Sequence, residues 1–263
     1  MPRFTTALIG GESLLIACAE LLLDRGHGIE AVVSTDPDIR SWAEGRGIAV
    51  LEHATALRER FTPGGFGWLL SIANLTVIPD DVLALAGRGA VNFHDGPLPD
   101  YAGLNTPVWA ILNGRREHGV TWHRIEGGVD EGNILEARRF DLADDETAYS
   151  LNAKCYAAAL ESFAPLLDRL EAGDAAGTPQ DLSDRRYFAA KDRPEAAGFI
   201  DVTGPADAIL RLVRGLDYSG YWNPLTSAKL KLGGSVVRVG AAALADAESD
   251  ANPGTVLSNT GDK

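Results

Sequence analysis

The chain has 263 residues, 45% hydrophobic and 23% charged, which suits one sizeable globular core with room for a small appendage. Its net charge is −13: residues 1–200 carry 18 basic against 30 acidic side chains and residues 201–263 carry 6 against 7, so neither part offers the basic surplus that nucleic-acid phosphates require. The longest apolar runs fall short of the roughly 18 residues of a membrane-spanning helix, and Met1-Pro2-Arg3 leads straight into a strand-like run rather than a secretory signal.

Residues 4–9 read as a strand. Residues 13–24 read as a helix with Leu14, Leu15, Cys18, Leu21 and Leu22 at helical spacing and Gly26 as its stop. The Gly10-Gly11 step between them lacks a Gly-x-Gly-x-x-Gly dinucleotide pattern and reads as a tight turn. Strands at 29–33 and 48–51 flank a helix at 39–45, and 68–72 is a buried strand. Pro79-Asp80-Asp81 opens a short helix through Leu85 with acids in its first turn. Residues 90–93 form a further buried strand that stops at Pro97 and Pro99. A helix follows at 104–112, with Pro107 in its first turn. Residues 120–125 and 134–140 read as antiparallel strands around the glycine-rich loop Gly127-Gly128-Val129-Asp130-Glu131-Gly132. Asp144-Asp145-Glu146 opens a long helix to about Leu170, with a core stripe of Leu151, Cys155, Ala159, Phe163, Leu166 and Leu170. Alternating strands and helices predict an α/β fold with a mostly parallel sheet.

Residues 173–180 are linker-like. Beyond them, a helix at 206–216 and strands at 229–232 and 236–239 suggest a small β-rich part, under which Trp222 is expected to pack. Residues 253–257 and the turn Asn259-Thr260-Gly261-Asp262 supply one arm of a hairpin without the second, so the chain is expected to be a piece of a longer polypeptide. Cys18 and Cys155, at apolar positions without metal or redox spacing, predict free core thiols in a reducing compartment. His27, His53 and His118 fall near loops and are expected at the surface.

The strand Val91-Asn92-Phe93-His94 ends in a polar pair. Side chains at i and i+2 share one side of a strand, so Asn92 and His94 leave its end together. Asp130 adds a carboxylate on a glycine-rich loop that can approach a ligand closely. Amide, imidazole and carboxylate form a set usable for acyl transfer. Singly, each residue has an ordinary role in a turn or at the surface.

Asn92-x-His94, Leu98-Pro99, Gly119-Val120-Thr121 and Val129-Asp130-x-Gly132, in that order and spacing, resemble the folate-dependent formyltransferase family. The likeness covers about residues 4–170, with a weaker match after 199. The runs Asn92-Phe93-His94-Asp95-Gly96-Pro97-Leu98-Pro99-Asp100-Tyr101-Ala102-Gly103-Leu104-Asn105, Gly119-Val120-Thr121-Trp122-His123 and Leu151-Asn152-Ala153-Lys154-Cys155-Tyr156 are similar to formyltransferase domains that begin some nonribosomal peptide synthetases. Most of the family has His-Pro-Ser-Leu-Leu-Pro where this chain has His94-Asp95-Gly96-Pro97-Leu98-Pro99, and tryptophan where Val202 stands. The missing serine argues against the purine and sugar branches.

The resemblance implies a Rossmann-like formyltransferase fold (residues 1–172), a linker (173–198) and a small β-rich, barrel-like C-terminal subdomain (199–263). It implies formyl transfer from 10-formyltetrahydrofolate to an amine, without a metal. Asn92, His94 and Asp130 are the expected catalytic residues. Asn92 and His94 would stabilise the oxyanion; Asp130 would orient His94 and help remove the ammonium proton, directly or through a water. Folate contacts are expected at Leu75, Thr76, Ile78, His123, Gly127 and Val129, and acceptor contacts at Gly10, Gly11 and Asn105. From the residues alone, His123 either faces the cleft or packs beside Trp122. Leu75, Val77 and Ile78 either meet the pterin or are ordinary core. Asn105 either handles the acceptor or, together with Thr106, starts a helix. The expected acceptor is the amine of an aminoacyl group on a peptidyl carrier protein. The carrier or adjacent synthetase domains would be partners, with no nucleic acid and no membrane, in the cytoplasm. The alternatives are a free-standing formyltransferase for an amino sugar, hydroxyornithine or methionyl-tRNA, a formyltetrahydrofolate hydrolase, and a catalytically silent docking module.

Overall fold

The computed structural model describes residues 3–245 and 249–258. The expected turn over residues 259–262 lies outside the described residues. In chain order the elements are β1 (Thr5–Gly10), α1 (Glu12–Asp24), β2 (Gly28–Val33), α2 (Pro37–Glu44), β3 (Ala49–Leu51), α3 (Leu57–Arg60), β4 (Phe66–Ile72), α4 (Asp80–Leu83), β5 (Ala86–His94), β6 (Tyr101–Gly103), α5 (Thr106–Leu112), β7 (Glu117–Arg124), β8 (Ile134–Asp141), α6 (Ala148–Ala172), β9 (Arg186–Phe188), α7 (Ala206–Gly215), β10 (Lys229–Leu232) and β11 (Ser235–Arg238). The chain divides into two compact units.

The first unit holds residues 1–106, 117–140 and 153–189. Its sheet has the order β3-β2-β1-β4-β5-β7-β8. The five strands from β3 to β5 run parallel, and β7 pairs antiparallel with β5. The expected α/β fold with a mostly parallel sheet is therefore present. The central strands are buried on both faces, as Leu69 and Leu70 on β4 and Val91 on β5 show, which is why they read as continuous apolar runs. One face is closed by α6, where Trp122 of β7 lies between Phe93 (5.1 Å) and Phe163 (5.0 Å). The strand order reverses beside β1, and in open α/β sheets ligands gather outside the carboxyl ends of strands near such a point.

Cys18 and Cys155 are buried thiols outside any disulfide, as expected. Two histidines depart from expectation. His118 lies on β7, which begins three residues earlier than its apolar run indicates, and it is fully buried. His27 is also buried: its Nε2 meets Glu171 Oε1 at 2.8 Å, and its Nδ1 accepts from the Phe4 N–H at 3.4 Å. Both were expected at the surface because loop proximity says nothing of what covers a loop from a distant segment.

The second unit holds residues 107–116, 141–152 and 190–263. Its main helix is α7, and a Cβ on Gly215 would stand 3.0 Å from Leu112, which shows how closely α7 approaches α5. The expected C-terminal strands are β10 and β11, an antiparallel pair, with one further bridge from Phe199 to Lys229. Among the described residues they form a two-stranded ladder rather than a closed barrel. Trp222 is therefore not covered as expected: it is 81% exposed. No helix among the described residues is long and apolar enough to cross a membrane.

Candidate active site

Three neighbouring strands place the site. Ser71 on β4 pairs with Asn92 on β5, and Asn92 pairs with His123 on β7. Residues opposite one another on adjacent strands share a face, so these side chains form a row. Ser71 Oγ donates to Asn92 Oδ1 at 2.7 Å, and Asn92 Nδ2 lies 3.2 Å from His123 Nε2. The amide is thus held at both ends. Its Nδ2 carries two hydrogens, and the contact with His123 uses one.

His94 follows Asn92 on the same side of β5. Its Nε2 donates to the Tyr101 carbonyl oxygen, which leaves Nδ1 facing two carboxylates: Asp130 Oδ2 at 3.6 Å and Asp95 Oδ1 at 4.0 Å. Asp130 stands on the loop between β7 and β8 in the left-handed region at φ 57°, which aspartate tolerates better than most residues. The Gly103 N–H donates to its Oδ2 at 2.8 Å, and His123 Nε2 lies 3.3 Å from its Oδ1. Gln180 Nε2 donates to the carbonyls of Asp130 (2.9 Å) and Gly132 (2.7 Å), which pins the loop. Burial by itself would push the Asp130 carboxyl up. The His94 charge, the His123 contact and the Gly103 N–H outweigh it and hold the group well below the usual carboxylate range. Asp130 is therefore a fixed anion, better suited to steadying an imidazole than to accepting a proton.

His123 faces this cluster rather than packing beside Trp122. Its Nδ1 donates to the Arg124 carbonyl at 2.8 Å. That fixes the tautomer, so Nε2 accepts from Asn92 in the neutral ring and donates to Asp130 in the charged one.

Asp95 and Gly96, where the sequence departs from the common family pattern, lie against His94. The Asp95 carbonyl accepts from Thr106 Oγ1 (2.6 Å) and His118 Nε2 (2.8 Å), and Thr106 Oγ1 is also 3.2 Å from Asp95 Oδ1. A Cβ at Gly96 would stand 2.4 Å from the Tyr101 oxygen and 2.7 Å from His94 Nε2. The Nε2–Tyr101 bond occupies the space a serine would need.

The other candidate residues sit on loops around this cluster. Leu75 (81% exposed), Thr76 and the buried Ile78 follow β4; the Thr76 N–H and hydroxyl both donate to Asn74 Oδ1. Leu75 and Val77 are exposed, so the reading of both as ordinary core does not hold. Gly127 (φ 73°) and the half-exposed Val129 share the Asp130 loop. Gly10 ends β1, where a Cβ would lie 1.7 Å from the Ile72 oxygen, and the Gly11 N–H donates to that same oxygen. Asn105, at φ 59°, immediately precedes α5. Ser71 and Gln180 were not singled out by sequence, Thr106 was read only as a helix start, and His118 was expected at the surface. Ser71 carried a signal, a lone hydroxyl inside an apolar strand; the others depend on tertiary contacts. No cluster of metal-ligating side chains occurs among the described residues.

Residues 69–164 match the formyl transferase family. The chain is 29% identical to a methionyl-tRNA formyltransferase of Agathobacter rectalis over 94% of its own length and 83% of that protein's. It is similar in structure to a 4-N formyltransferase from Francisella tularensis (TM-score 0.74, 15% identity, 93% and 99% of the two chains). It also resembles the N-formyltransferase from Helicobacter canadensis in complex with folinic acid and dTDP-3-aminofucose (TM-score 0.69, 20% identity, 80% and 79%). The matched segment spans β5, β7 and the loop between β7 and β8, which carry Asn92, His94, His123 and Asp130, and over it the chain is similar to the formyl transferase family.

Proposed function

We propose that this chain is an N-formyltransferase that moves the formyl group of 10-formyltetrahydrofolate onto the amine of an aminoacyl group held by a carrier protein, in the cytoplasm. The observation that carries the reading is the convergence of Asn92, His94 and Asp130 at the carboxyl end of β5, with the amide and the imidazole on one side and both braced from behind.

The formyl folate supplies an electrophilic carbon whose oxygen gains negative charge when the amine attacks. One Asn92 Nδ2 hydrogen is directed at that oxygen, and charged His94 presents its Nδ1 hydrogen from the same strand end. One such donor is worth about 2.7–4 kcal/mol. Asp130 compensates the imidazolium, and His123 steadies both Asp130 and Asn92. The exposed apolar Leu75, Val77 and Val129, on the two loops that flank Asn92 and Asp130, suit a flat ring held largely by backbone groups.

For the acceptor, the net charge of −13 favours a carrier-bound aminoacyl group over tRNA. The sequence His94-Asp95-Gly96, similar to that of synthetase initiation domains, points the same way. Methionyl-tRNA is the second reading, favoured by the names of the curated relatives. Competition decides between them: with equal amounts of aminoacyl-loaded carrier protein and methionyl-tRNA, the formyl group should appear on the carrier, and label recovered in the tRNA fraction would reverse the assignment.

A further inference from the structure

We propose that Asp95 receives the ammonium group of the acceptor and takes its proton, leaving Asp130 as the permanent counter-charge of His94. This rests on the amine-formylating function proposed above and adds a second carboxylate to it.

The geometry separates the two acids. Asp130 is enclosed, with 9% of its side chain exposed and both oxygens engaged, by the Gly103 N–H, His94 and His123. Asp95 stands on the other flank of His94 with 29% of its side chain exposed. It is the carboxylate beside His94 that solvent, and hence an incoming cation, can reach. The Thr106 hydroxyl is shared between the Asp95 carbonyl at 2.6 Å and Oδ1 at 3.2 Å, and His118 and Cys155 hold the same carbonyl from β7 and α6. The charged and titratable groups around it are His94, Asp130, His118 and Cys155.

Environment pushes the two carboxyls apart. The enclosed part of the Asp95 side chain raises its carboxyl, the Asp130 charge adds to that, and His94 and Thr106 offset only part; Asp130 is lowered. Such a split suits the accessible Asp95 to accept a proton and the enclosed Asp130 to remain a fixed anion. An α-amino group titrates near pH 8 and is largely protonated at neutrality, so a proton must leave before attack. In the proposed step an ammonium N–H bond breaks, its proton forms an O–H bond on Asp95, and the electron pair stays on nitrogen. That pair then bonds to the formyl carbon, whose oxygen takes up the negative charge, and the bond from carbon to the folate nitrogen breaks as the oxygen's pair returns. The folate nitrogen takes a second proton from the attacking amine, and the proton on Asp95 returns to solvent. The products are formamide, tetrahydrofolate and one proton.

The test uses the full chain with valinamide as the cationic probe and tetrahydrofolate present. Parent, Asp95→Asn and Asp95→Glu are compared for valinamide binding by NMR, and for formylation of a valinyl thioester with 10-formyltetrahydrofolate from about pH 6.5 to 9. Asp95→Asn keeps an acceptor for Thr106, and thermal melts check that it folds. We expect Asp95→Asn to lose valinamide binding and about a hundredfold in kcat/KM at the acid end. That loss should shrink as pH passes the amine's own titration, and Asp95→Glu should recover part of it. An unchanged pH profile, or a uniform loss at every pH, overturns the role of Asp95 while leaving the formyltransferase reading intact. A parent that formylates nothing but binds valinamide through Asp95 overturns the function and keeps the anchor. A parent that does neither overturns both.

Discussion

Replacing Gly96 with alanine tests how tightly the imidazole is seated. The new methyl would lie 2.4 Å from the Tyr101 oxygen, 2.7 Å from His94 Nε2 and 2.9 Å from Thr106 Oγ1, where ordinary contact begins at 3.4 Å. About 1 Å of movement is needed, and the segment has little to give. Thr121 Oγ1 holds the Gly96 carbonyl at 2.8 Å, and Thr106 and His118 hold the Asp95 carbonyl. Overpacking costs about 1–3 kcal/mol, and losing the bond from His94 to Tyr101 about 0.5–1.5 kcal/mol. The total of about 1.5–4.5 kcal/mol lowers Tm by roughly 3–18 °C at about 2–4 °C per kcal/mol. Turnover should fall further, by about 10²–10³, because His94 leaves the line of the formyl oxygen. Thermal melts and initial rates of formyl transfer measure the two effects separately. A Gly96→Ala protein that melts within about 1 °C of the parent and turns over normally would refute the packing argument.

Asp130→Asn should lower kcat by about 10²–10³ with folate binding retained, measured by steady-state rates and equilibrium titration. The same variant tests linkage. The folded Asp130 carboxyl lies below its unfolded value, so its stabilisation is present above about pH 4 and is lost as pH falls through the depressed folded value. The stability gap between parent and Asp130→Asn in urea should therefore narrow as pH falls from about 5 towards 2. Ser71→Ala removes the 2.7 Å bond that orients Asn92; a loss of about 1 kcal/mol in positioning predicts a severalfold fall in kcat with KM little changed. Glu171→Ala strips His27 Nε2 of its buried 2.8 Å partner; chemical denaturation should show a loss of about 1–3 kcal/mol with turnover preserved.

The sheet was legible because its strands are buried on both faces and read as apolar runs between turn residues, as Trp68-Leu69-Leu70-Ser71-Ile72 does. The Asn92 and His94 pair followed from the two-residue period of a strand. What brings Asp130 to them did not: residues 92 and 130 are separated by a helix and two further strands, and only the ordered family motifs linked them. The open choice at His123 was settled by register, since pairing opposite Asn92 turns it to the cleft, and register is not visible in one strand alone. His118 and His27 were misplaced because their partners, Asp95 and Glu171, come from distant parts of the chain. Trp222 was misplaced for the opposite reason: an aromatic beside predicted strands was assumed to be covered by them. Asp95 and Gly96 were visible as departures from the common pattern, but only the contact with His94 gave them meaning.

The most direct test follows 10-formyltetrahydrofolate consumption by the purified chain, with and without aminoacyl-loaded carrier protein, while mass spectrometry reads the carrier. The account predicts consumption that depends on the loaded carrier, a formyl mass gain on its amine, and loss of both in Asp130→Asn. Cofactor loss without an acceptor would instead make the chain a hydrolase, and folate binding with no turnover on any amine would contradict the catalytic account.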